Sequence, residues 1–223
     1  MKLNLVLDLD STLVYSICTT NMDLVSLYLK SPYLMVHYLE KSYIKNKFTH
    51  VISLYRPHLF DFLEQLSSMY NIYIYTHAHI EYAQMIINTI QFATDNVITT
   101  YNARTDNEIK LKDLHNIKYI DNIDRTIIID DNPNVWVKED INKQIIIKRF
   151  YPRKLSDDEN VLTLNTRFIE TINEDIELKK LTKILTRAYE MYSRDESSEE
   201  KTCSDTNIAF DTCLSYVKNE YVY

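Results

Sequence analysis

The run Lys2-Leu3-Asn4-Leu5-Val6-Leu7 leads without a turn into Asp8-Leu9-Asp10-Ser11-Thr12, and few folds accept that combination. The first part reads as a strand buried on both faces, the pattern of a parallel sheet covered on each side. In such sheets ligands gather at the carboxyl ends of the strands, where Asp8 and Asp10 stand. Two residues apart, the carboxylates share a face if the strand continues that far. One can then attack while the other handles a proton, and a divalent cation can neutralise the pair. A helix N-cap would explain one polar residue here but not three.

The pattern recurs twice. Asn71-Ile72-Tyr73-Ile74-Tyr75-Thr76 ends in a hydroxyl, and Thr126-Ile127-Ile128-Ile129-Asp130-Asp131 ends in an acidic pair. Helical periodicity separates them: Leu59, Phe60, Leu63 and Leu66 follow Arg56-Pro57, with proline at a tolerated first-turn position, and a second helix covers Glu81 to Ile90. Gln144 to Lys148 adds a further strand. Strands alternating with helices predict an α/β fold, a Rossmann-like parallel sheet with helices on both faces. Tyrosine-rich segments between the first strand and the first helix, joined by the basic connector Lys41 to Lys47, predict a small β insertion over residues 13–55.

The C-terminal part is expected to be helical. Ser156 and Glu159 form a capping box, and a helix is expected from Asp175 to Tyr192, with Leu178, Leu181, Leu185 and Ala188 on one face. This gives a main domain over 1–192, an acidic linker over 193–207 and a tail over 208–223 that is apolar enough to dock and available to a partner.

Composition removes several functions. The 223 residues include no glycine, which rules out the phosphate-cradling loops of Walker and dinucleotide-binding sites. Any phosphate must be held by side chains and metal, and left-handed backbone positions are expected to fall to Asn and Asp. The net charge of -7 makes nucleic acid an unexpected partner. Cys18, Cys203 and Cys213 lack metal-type spacing and make an odd number, as expected of free thiols in a reducing compartment. The N-terminus is a strand carrying acids rather than a secretory signal, and no apolar run reaches membrane-spanning length. An intracellular protein, nuclear or cytoplasmic and not secreted or membrane-bound, is expected.

Asp8, Asp10 and Thr12, then Thr76, then Lys110 or Lys112, then Asp130 and Asp131 resemble the four motifs of the haloacid dehalogenase superfamily of phosphotransferases. Asp8-Leu9-Asp10-Ser11-Thr12-Leu13-Val14, Arg56-Pro57, Tyr75-Thr76 with Tyr82-Ala83, Lys112-Asp113-Leu114 and Ile128 to Trp136 are similar to the phosphatases of the RNA polymerase II C-terminal domain. Asp130-Asp131 and Val135-Trp136 favour the TFIIF-associated, NLI-interacting-factor-like branch. His58 stands where a glycine often follows Arg-Pro.

The resemblance implies a Mg²⁺-dependent phosphatase acting on phosphoserine or phosphothreonine of a phosphoprotein through an aspartyl-phosphate. Asp8 would be the nucleophile and Asp10 the general acid and base. Asp8, Asp10 through its backbone carbonyl, and Asp131 would hold Mg²⁺, with Asp130 behind them. Thr76, Lys112 and Thr12 would bind phosphate, Lys112 being preferred over Lys110 because Asp113-Leu114 follows it. Arg56 reads as structural, and His77 and His79 as ordinary histidines outside the chemistry. A nucleotide or nucleic-acid-end phosphatase of the same fold, and a non-enzymatic scaffold that keeps it, are the alternatives.

Overall fold

The computed structural model describes residues 2–19, 26, 35–39, 49–94, 99–102, 110–120, 122–151, 170, 174–196 and 203–221. In chain order the elements are β1 (Leu3–Leu7), β2 (Val14–Thr19), β3 (Met35–Leu39), β4 (Thr49–Tyr55), α1 (Leu59–Ser67), β5 (Tyr70–Thr76), α2 (Ile80–Thr94), β6 (Thr99–Asn102), β7 (Thr126–Asp130), β8 (Gln144–Ile146), α3 (Glu177–Glu196) and α4 (Cys203–Glu220).

Every residue of β1 is buried, so β1 takes the centre of a five-stranded sheet of order β6-β5-β1-β7-β8. All its pairings are parallel, with Leu7 beside both Ile74 and Ile129. Period-2 alternation then divides the core. Leu3, Leu5, Leu7, Ile72, Ile74, Ile127 and Ile129 face α1, α2, α3 and α4. Val6, Tyr73, Tyr75 and Ile128 face Leu114, Ile117 and Trp136. Each buried aliphatic side chain contributes about 1.5–3 kcal/mol. Helices thus cover both faces, but unequally: among the described residues the second face carries the short 3₁₀ turns Leu114–Asn116 and Ile123–Arg125.

The expected insertion is a separate antiparallel sheet, β2-β4-β3, in which Ser16 lies opposite Ser53. It leaves the main sheet directly after Thr12 and returns at Arg56. Arg56 is 1% exposed and fastens the return. Its guanidinium donates to the Thr12 carbonyl at 3.0 Å, the Lys148 carbonyl at 2.7 Å and Asp175 at 3.1 and 3.2 Å. The sequence expectation of a structural role is met.

Two expectations need correction. Residues 193–207 are not a linker throughout: α3 runs on to Glu196 and α4 begins at Cys203. The apolar tail is docked, with Phe210, Cys213, Leu214 and Val217 buried in the main core. An acidic composition alone could not reveal the helices flanking it. Among the described residues left-handed backbone falls not to Asn or Asp but to Ser11 (φ 64°), His58 (φ 65°) and Tyr119 (φ 78°). At Ser11 a local and a long-range bond hold the conformation: its N–H donates to Val14 at 2.8 Å and its carbonyl accepts from Phe150 at 2.6 Å. Such a position costs a residue with a Cβ about 1–2 kcal/mol. The Lys41–Lys47 connector, the Ser156–Glu159 capping box and the periodic residues after it lie outside the described residues.

Candidate active site

Parallel register brings the ends of β1, β5 and β7 together, and with them Asp8, Thr76, Asp130 and Asp131. The Asp8 N–H still donates to Ile129 at 2.9 Å, so the sheet holds the backbone of the first carboxylate. Lys112 arrives from outside the sheet. Its main chain bridges to the segment around Trp136, donating to Val135 at 2.7 Å and accepting from Val137 at 2.9 Å. That fixes the side chain, 1% exposed, with its Nζ at 2.6 Å from Asp8 Oδ1 and 2.7 Å from Asp130 Oδ2. The Trp136 ring lies 5.4 Å from the same nitrogen, and its Nε1 donates to Asp130 Oδ2 at 2.9 Å.

One ammonium therefore serves two carboxylates. Burial would lower the Lys112 pKa, but Asp8 and Asp130 outweigh it and hold the amine protonated. Asp8 is left under-compensated: burial raises its carboxyl, Lys112 opposes, and Asp130 and Asp10 add to the rise. Asp10 is likewise raised, chiefly by burial, against a hydrogen bond of 2.6 Å from the Tyr82 hydroxyl. Two carboxyls two residues apart are thus held by different partners, a cation for one and a hydroxyl for the other. That separation lets a pair divide nucleophilic and acid-base work.

Asp131 is gripped at both oxygens, by Thr12 Oγ1 at 3.3 Å and by Arg149 Nε at 2.6 Å. The Thr12 hydroxyl also accepts from the Asp131 N–H at 3.2 Å. Thr12, expected on the phosphate, is completely buried with its hydroxyl turned to Asp131. Thr76 is 1% exposed and its Oγ1 accepts from the Ala78 N–H at 3.0 Å. Lys110 is exposed and contributes its carbonyl to His77 Nε2 at 2.7 Å, which separates it from Lys112.

Asp8, Asp130 and Asp131 each offer an oxygen within 4.8 Å of the others, a hard oxygen set of the kind Mg²⁺ takes. The sequence reading had Asp10 in that set and Asp130 behind it. Asp130 Oδ2 is engaged by Lys112 and Trp136, and its Oδ1 by the Asn132 N–H at 2.9 Å. Asp130 thus carries three donors on its two oxygens, against the two that Thr12 and Arg149 place on Asp131.

Sequence reasoning gave no role to Tyr82, Ser16, Trp136 or Arg149. Tyr82 sits in the first turn of α2, six positions after Thr76, and the Tyr82-Ala83 match had marked the position without saying what its hydroxyl does. Arg149 follows β8 and carries no motif at all.

A parallel sheet with an acidic cluster and one buried lysine at its carboxyl edge defines a haloacid dehalogenase-like protein. The NLI interacting factor-like phosphatase family model matches residues 3–193, and the chain belongs to that family. Among solved structures it resembles fission yeast Fcp1, an RNA polymerase II CTD phosphatase, in an arginine-to-alanine variant bound to beryllium fluoride. That match has a TM-score of 0.63 at 18% identity and covers 87% of this chain and 65% of the other. A second Fcp1 structure, described as an essential RNA polymerase II CTD phosphatase, matches with a TM-score of 0.54 at 18% identity, over 98% of this chain and 62% of that one. The chain thus spans just under two thirds of these relatives. No curated protein sequence matches it, and among the described residues no helix is long and apolar enough to cross a membrane.

Proposed function

We propose that the chain is a Mg²⁺-dependent protein serine/threonine phosphatase that works through an aspartyl-phosphate, with the phosphorylated C-terminal domain of RNA polymerase II as a candidate substrate. The observation that carries this is Asp8 against Lys112, beside an Asp10 held independently by Tyr82. In the first step an Asp8 oxygen bonds to phosphorus as the ester oxygen leaves, and Asp10 gives that oxygen its proton. In the second, Asp10 takes a proton from water, the water oxygen attacks phosphorus, and Asp8 is released with inorganic phosphate. Lys112 and the Thr76 hydroxyl face the phosphoryl oxygens and offset the charge that builds during transfer. Asp8 and Asp131, with the Asp10 backbone carbonyl, would hold Mg²⁺, which when bound supplies positive charge to the phosphoryl group. A net charge of -7 weighs against nucleic-acid ends as substrates.

The test is phosphate release from an aryl phosphate and from a phosphoserine peptide, with Mg²⁺ and with EDTA. Activity should require the metal and vanish in Asp8→Asn while circular dichroism shows an intact fold. Full activity in folded Asp8→Asn would refute the assignment. A preference for an RNA 5′-phosphate over the phosphopeptide would move the substrate to nucleic acid.

A further inference from the structure

The inserted sheet does more than frame the opening of the site. The Tyr82 hydroxyl that reaches Asp10 Oδ1 at 2.6 Å also lies 2.9 Å from Ser16 Oγ on β2. Ser16 Oγ in turn lies 2.8 Å from Ser53 Oγ, its partner across the β2–β4 ladder. Ser53 is fully buried, and Tyr82 and Ser16 are half-buried. Three hydroxyls from three separate segments therefore run in line from the carboxylate into the insertion.

The chemistry fixes the direction of this line. A carboxylate oxygen only accepts, so Tyr82 donates to Asp10. Having one proton, Tyr82 must then accept from Ser16, and Ser16 must accept from Ser53. Each hydroxyl polarises the next, which strengthens the bond that ends on Asp10. With Oδ1 engaged in this way, rotation of the carboxyl is blocked and Oδ2 is the oxygen left to face the phosphate ester. A general acid has to lie within hydrogen-bond reach of the leaving oxygen, and a misplacement of about 1 Å can lower a rate a hundredfold.

We infer that Tyr82, Ser16 and Ser53 are positioning residues for the proton transfer by Asp10, and that the β2–β4 ladder is thereby part of the catalytic apparatus. The inference rests on the proposed reading of Asp10 as the acid, and the test separates the two. Rates are compared for a phosphoserine peptide, whose alkoxide must be protonated on leaving, and p-nitrophenyl phosphate, whose phenolate leaves unaided. Tyr82→Phe should lower kcat/KM for the peptide about tenfold, the size expected for a lost bond to a charged group, and kcat/KM for the aryl ester by no more than about twofold, since this quantity reports the step up to departure of the alcohol and not the later attack of water. Ser16→Ala should lower the peptide rate about threefold and Ser16→Thr should restore it, since the hydroxyl returns on a strand-compatible side chain. Ser53→Ala should act in the same direction as Ser16→Ala. In an Asp10→Asn background neither Tyr82→Phe nor Ser16→Ala should change the ratio of the two rates.

If Asp10→Asn selectively loses the peptide while folded Tyr82→Phe and Ser16→Ala lower both substrates equally, or neither, the hydroxyl line has no positioning role and the inference falls alone. If Asp10→Asn itself shows no selectivity between the substrates, the acid assignment falls and takes the inference with it. Thermal melts of each variant identify misfolding, and Ser16→Thr gives a second reading should Tyr82→Phe be unstable.

Discussion

Replacing Lys112 by Met keeps most of the side-chain volume and removes the cation. Both carboxylates that Lys112 touches are buried, Asp8 at 7% exposure and Asp130 at 1%. Breaking a buried pair by removing one partner costs about 3–5 kcal/mol, because a charge is left uncompensated. Protonation limits that loss. Asp8 is already raised to about 7 by burial with Lys112 present, and without Lys112 it rises further. A carboxyl whose folded value lies above its unfolded value stabilises the fold below the unfolded value and loses that contribution as pH rises through the folded one. Between about pH 7 and about pH 8 Lys112→Met should therefore lose a further ~1.4 kcal/mol against the parent protein, one proton over one pH unit, a fall of roughly 3–6 °C in Tm for a chain of this size. Because Asp8, Asp130 and Asp131 remain within 4.8 Å of each other, millimolar Mg²⁺ should raise the Tm of the variant more than that of the parent protein. Thermal denaturation followed by circular dichroism at both pH values, with Mg²⁺ and with EDTA, reads both effects. Equal melting of variant and parent at about pH 8 in EDTA would refute the view that one ammonium balances the carboxylates.

Two further outcomes follow from backbone and buried contacts away from the reacting groups. His58→Gly should raise stability by about 1 kcal/mol in urea unfolding, because φ 65° is free of Cβ conflict only for glycine; a lower midpoint would show that the imidazole has a stabilising contact. Burial alone would raise the Glu177 pKa, but hydrogen bonds from Tyr221 and Lys180 hold the carboxyl below its ordinary 4.5. The stability gap between parent and Tyr221→Phe should therefore be full above about pH 4.5 and close as pH falls further; a gap independent of pH would show that Tyr221 acts through packing alone.

The central sheet was legible because its signal is local. Runs such as Leu3–Leu7 and Thr126–Asp130 announce burial on both faces, and the acids that follow them need no distant information to be placed at a sheet edge. Lys112 was legible only through its neighbours Asp113 and Leu114, since a lysine in a polar stretch is ordinarily solvated. The contact of the Thr12 hydroxyl was not legible, because it depends on Asp131, which the chain reaches much later. The contact of Tyr82 with Ser16 was silent because it joins a helix to the inserted sheet, and no periodicity records a single hydroxyl pair. The left-handed residues were hidden for a related reason: a long-range bond from Phe150 helps to hold the backbone angle of Ser11, and propensity is overruled.

The central position of β1 also sets the order in which the molecule can be assembled. The strand leaves the ribosome before β5 and β7, so Leu3 must wait for Tyr70 on one side and Asn4 for Thr126 on the other. Throughout that interval an apolar strand has two unpaired edges, the state in which nascent chains associate with one another. Asp8 and Asp10 stand at its end during the same interval, as charged residues do where they flank aggregation-prone strands. The loop that carries them acquires its last brace only when Asp175 arrives to meet Arg56. Chains released before that point can hold every reacting group and still lack the clamp on the loop that presents them.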